Sequence, residues 1–120
     1  MSTLKVNTLQ DTSGEGFYPA RAWVKYNADG TQAIQDDKNV SSITDRGSAV
    51  QTINLSNSFS NAHYAPSGVT ANGGGGSESW QIENTRTGGA MFTGSLYVHT
   101  TRYSLGFDPT IVTAMMTGDM

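Results

Sequence analysis

The chain has 120 residues, 36% of them apolar and 14% charged, with a formal net charge of −3. That length fits one domain, and the seven Lys and Arg residues are scattered singly, so there is no basic face for nucleic acid and no polybasic run for a membrane surface. The absence of cysteine excludes disulfides, Cys-based zinc sites and a thiol nucleophile.

No apolar run approaches the roughly 18–20 residues of a membrane span, and MSTLKVNTLQ lacks the apolar core of a secretion signal. Membrane insertion and Sec-type export are therefore not expected. Apolar content lies below the usual ~45–50%, with Ser, Thr, Asn and Gly in its place, which suits β-structure around a thin core. Eleven aromatic residues and regular alternation favour a folded chain. A domain this small and polar buries only about 65% of its unfolded surface alone, so an oligomer is expected.

Residues 1–16 read as an extended N-terminal arm. Leu4, Val6 and Thr8 alternate with Lys5, Asn7 and Leu9, the pattern of one short strand, and Asp11–Gly16 is a connection. A lone strand cannot satisfy its own backbone, so it is expected to pair with another chain or another part of this one, with Leu4, Val6 and Leu9 as candidates for anchoring the arm to a larger structure. The domain proper is expected over 17–120. In Ala20–Tyr26, Ala22, Val24 and Tyr26 face one way, and Arg21, Trp23 and Lys25 the other. Trp23 on an otherwise polar face points to a second layer or a subunit contact. Asn27–Gly30 supplies a tight turn, Thr31–Gln35 returns, and Asp36-Asp37-Lys38 reads as a solvated turn.

Further strands are expected at Asn39–Thr44, Ser48–Ser56, Glu78–Asn84, Ala90–Thr101, Tyr103–Phe107 and Thr110–Thr117, the last dense enough to be buried. Phe59–Tyr64 approaches another strand, in which Pro66 and Gly68 indicate an edge or a bulge. Asn72–Ser77 is a Gly-rich loop without the Lys-Ser/Thr of a phosphate-binding loop. Nowhere does helical periodicity persist. Short strands with Gly and Asn turns predict an all-β fold, a small antiparallel β-sandwich of jelly-roll-like type.

Nothing in the sequence forms a catalytic constellation. His63 and His99 occupy no known spacing, no serine sits in a G-x-S-x-G elbow, and Glu78 and Glu83 fall on opposite faces of one strand. Asp36-Asp37 and Asp45 lack the spacing of an EF-hand loop, so neither a metal site nor a cofactor is expected. Trp23, Trp80, Tyr97 and Tyr103 are candidates for a subunit interface or for stacking on sugar rings, with core packing as the simpler role.

Two stretches carry a resemblance. The opening Ser2–Asp11 has the form S-T-L-K-V-N-x-[LI]-Q-[DN]. Ala22–Ile34 then fits A-W-V-x-[FY]-N-x-x-G-T-x-x-I, and Asn39–Gly47 fits N-V-S-S-I-T-D-x-G, followed by an alternating strand and Tyr64. Together they cover about half the chain and resemble the tail fibre-like and virion appendage proteins of tailed bacteriophages, especially those of marine and cyanobacterial hosts. The C-terminal half is similar only in character. The resemblance implies a non-enzymatic virion component, a homotrimer, with other virion proteins and a host-surface glycan or receptor as its expected partners. A capsid decoration or knob protein and a tail adaptor remain alternatives, and a small polysaccharide depolymerase is a remote one.

Overall fold

In the computed structural model, residues 2–10, 12–14, 20–71, 78–82, 90–102, 105–106 and 108–119 are described. The strands are β1 (Ala22–Asn27), β2 (Ala33–Lys38), β3 (Val40–Asp45), β4 (Val50–Leu55), β5 (Ala65–Ala71), β6 (Glu78–Ile82), β7 (Met91–Phe92), β8 (Ser95–Arg102), β9 (Leu105–Gly106) and β10 (Ile111–Thr117). All pairings are antiparallel and no described residue is helical. One sheet runs β2-β1-β10-β5 and the other β3-β4-β8-β6, with β7 and β9 both paired to β8. The expected all-β sandwich of two antiparallel sheets is the architecture found.

Its core follows from the alternation. Val24 and Tyr26 of β1 and Val112, Ala114 and Met116 of β10 face Ile53 of β4 and Leu96 and Val98 of β8, all essentially shut off from water. The Tyr26 hydroxyl crosses between the sheets and donates to Gln51 Oε1 at 2.9 Å, both side chains being fully buried. β10, expected as a buried terminal strand, lies between β1 and β5.

Three local readings change. Asp36-Asp37-Lys38 is not a turn: β2 runs on to Lys38, with Lys25 opposite Asp36 and Trp23 opposite Lys38. Asp and Lys are poor strand formers, but β2 is an edge strand, where charge is soluble and discourages pairing with other chains. The reversal falls one residue later, at Asn39, whose φ of 60° suits a residue tolerant of the left-handed region. Asn39 also accepts from the Asn57 backbone N–H and donates to Asn57 O, tying this corner to the end of β4.

The second change concerns Ala90–Thr101, which is two strands. The chain reverses at Thr93-Gly94, pairing Met91 with Leu96 and Phe92 with Ser95. The turn is held from outside, since Leu55 N–H donates to Gly94 O and Phe59 N–H to Thr93 O. Third, Pro66 and Gly68 lie inside β5 and do not interrupt it. Its edge position, anticipated from those residues, accommodates a proline without an N–H.

A further irregularity explains an awkward spacing. Val40 and Ile43 are three apart yet both face inward, because the β3–β4 register shifts between Val40 and Ser42.

The sandwich closes on one side where β5 lies over β6. A side chain at Gly68 would meet Thr113 O at 2.5 Å and the Trp80 ring at 2.7 Å, so glycine lets the two sheets approach there.

Candidate interaction surfaces

Pleating presents two outer faces, and they differ in kind. On the four-stranded sheet the register lines up Lys38, Trp23, Met115 and Ser67 in one cross-strand row, and Asp36, Lys25, Thr113 and Val69 in the next. Trp23, Lys25, Ser67, Val69, Thr113 and Met115 line a shallow groove of about 530 Å³. Its charges lie toward β2 and its apolar surface toward β10 and β5. Val69 is 64% and Met115 49% exposed, while Trp23 is half-buried.

The outer face of the six-stranded sheet is polar and bonded to itself. Asn54 Nδ2 donates to Ser42 Oγ and Thr44 Oγ1, and the Ser79 and Thr101 hydroxyls share a bond of 2.5 Å. The Arg46 guanidinium sits over the Tyr97 ring, 4.3 Å from its centroid, and Phe92 packs against the same ring at 5.4 Å.

Two connections hold these faces in place. Ala49 has a φ of 67°, which costs a non-glycine residue free energy, and it is clamped from both sides. Its N–H donates to Asp108 Oδ1 at 2.6 Å and its carbonyl accepts from Thr100 N–H. Tyr64 stacks on Phe59 with centroids 4.4 Å apart, and its hydroxyl lies 2.9 and 3.0 Å from the Phe92 and Ser95 carbonyls at the base of the β7–β8 hairpin. Burial pushes the hydroxyl pKa of both Tyr26 and Tyr64 upward, with the Phe92 carbonyl bond opposing this at Tyr64.

The four aromatic candidates from the sequence thus have separate fates. Trp23 is in the apolar groove. Tyr97 is on the polar face under Arg46, which occupies a ring surface that a sugar would need. Trp80 points between the sheets, beneath Gly68 and against the core, its Nε1 without a hydrogen-bond partner. It packs against the core. Tyr103 lies outside the described residues, as do Glu83 and the Gly-rich stretch 72–77. Leu4, Val6 and Leu9 of the arm are exposed at 80%, 55% and 53%.

His63 is exposed, and His99 is half-buried in β8 between Val50 and Gln81. Among the described residues no group of three His, Cys, Asp or Glu side chains could hold a metal ion. Val69 and Met115 were missed by sequence reasoning. Their signal was the odd-numbered alternation of β5 and β10, which becomes a surface only once those strands are known to be neighbours. Compared with known proteins, the chain matches no family model, no curated protein and no solved structure.

Proposed function

We propose that the chain is a non-enzymatic structural protein of a phage virion, a tail-fibre or appendage subunit that contributes to host-surface attachment. It works as a homotrimer, with residues 1–16 as an assembly arm and 17–120 as a jelly-roll-like domain. The observation that carries this reading is the set of sequence motifs shared with tail fibre-like proteins. Their residues form one structural unit: Ala22, Val24 and Tyr26 are core, Val40 and Ile43 face inward, and Tyr64 anchors the β7–β8 hairpin. Strand order supports the jelly-roll comparison, with β1 beside β10, β4 beside β8, and β4, β5 and β6 alternating between sheets.

A capsid decoration or knob protein, or a tail adaptor, is the second reading, and a small two-sheet domain suits it equally. Locating the chain in a reconstruction of the intact virion tests both. Density at the tail in multiples of three supports the fibre reading, and density on capsomers refutes it. Shortening of host polysaccharide by the purified protein would refute the non-enzymatic assignment.

A further inference from the structure

Large apolar side chains are exposed at few places among the described residues. Leu4, Val6 and Leu9 are on the arm, Val69 and Met115 share the groove on the four-stranded sheet, and Phe92 stands by Tyr97. A chain poor in apolar residues therefore displays two separate apolar surfaces, one a strand-like segment and the other a groove. We infer that they cover each other between copies: residues 2–10 of one subunit dock on the outer face of the next, with Leu4 and Val6 entering the groove beside Trp23, Met115 and Val69. The inference rests on the oligomeric reading above and names the contact that builds it.

Three observations select a second copy as the occupant. Residues 2–9 form no ladder on their own domain and their apolar side chains face water, the segment's bridge being at Gln10. The spacing fits as well. Leu4 and Val6 are about 7 Å apart in an extended strand, which is also the separation of the Trp23–Met115 row from the Thr113–Val69 row. Finally, Lys5 is the one charged residue in 2–10 and alternates away from Leu4 and Val6, so the arm carries no charge of its own into the groove. An arm that leaves one subunit and lands on the next is a heterologous contact, which gives a ring such as a trimer when the rotation between subunits closes and an open filament when it does not.

The test uses the full chain in light scattering over a dilution series, with two variants. Leu4→Asp/Val6→Asp alters only the exposed arm, and Val69→Asp alters only the exposed edge of the groove. Both should melt like the unaltered domain and both should weaken self-association at least tenfold. Mixing them should restore a dimer, because the intact arm of one meets the intact groove of the other, whereas neither variant alone should form it. If the unaltered protein assembles and either variant assembles equally well, arm-in-groove docking is wrong while the oligomer stands. If the unaltered protein stays monomeric at its highest soluble concentration, the oligomeric reading itself fails.

Discussion

Replacing Tyr26 by Phe isolates a polar bridge across the core. The hydroxyl donates to Gln51 Oε1 at 2.9 Å between fully buried side chains, and Gln51 Nε2 has no partner. Removing the donor leaves both polar atoms of Gln51 buried and unsatisfied, which costs about 1–3 kcal/mol. For 120 residues an unfolding entropy of roughly 0.25 kcal/mol/K converts this to a fall in Tm of about 4–12 °C. Gln51→Leu should cost less, because it strands only the tyrosine hydroxyl and removes an orphan donor. The pair Tyr26→Phe/Gln51→Leu should return close to the starting stability, since an apolar pair of similar shape needs no hydrogen bond. Calorimetric melts of the four proteins at one fixed concentration measure the cycle and keep any self-association constant. A Tyr26→Phe variant within about 0.5 kcal/mol of the parent, or a double variant that simply adds the two losses, would refute the reasoning.

The same residue sets a pH dependence. Its pKa is raised in the folded chain, so the folded state holds the proton after the unfolded chain has released it near pH 10. That contribution to stability is complete below about pH 10 and declines above it, so the gap in urea midpoint between parent and Tyr26→Phe should narrow from about pH 9 to about pH 11. Gly68→Ala should destabilise by about 1–3 kcal/mol in urea unfolding, because its methyl meets the immobile Thr113 carbonyl as well as the Trp80 ring. Asp108→Ala should cost about 1–2 kcal/mol by chemical denaturation, since it releases the N–H of Ala49 at a strained φ; an unchanged midpoint would mean the clamp is idle.

Much of the fold was readable along the chain. Ala22, Val24 and Tyr26 declared the inward face of β1 by simple alternation, and Pro66 marked an edge because it cannot donate within a ladder. Asp36–Lys38 misled because propensity treats charge as a turn signal, whereas an edge strand tolerates it. The Thr93-Gly94 reversal misled because continuous alternation runs through a two-residue turn without a break; non-local bonds from Leu55, Phe59 and the Tyr64 hydroxyl hold it there.

Composition and period alone thus determined an all-β chain with a thin core and no cysteine chemistry. Tertiary structure decided which strands are neighbours, and with that which side chains share a surface. Trp23, Val69 and Met115 come from strands far apart in sequence and form a groove only because β10 pairs with β1 on one side and β5 on the other. Trp80 and Tyr97 had equal claim to recognition as residues, and the packing of Gly68 and Arg46 against them separated their roles. Alternation reports which face of a strand a residue occupies; what lies across from that face is set by non-local pairing, which local pattern does not encode.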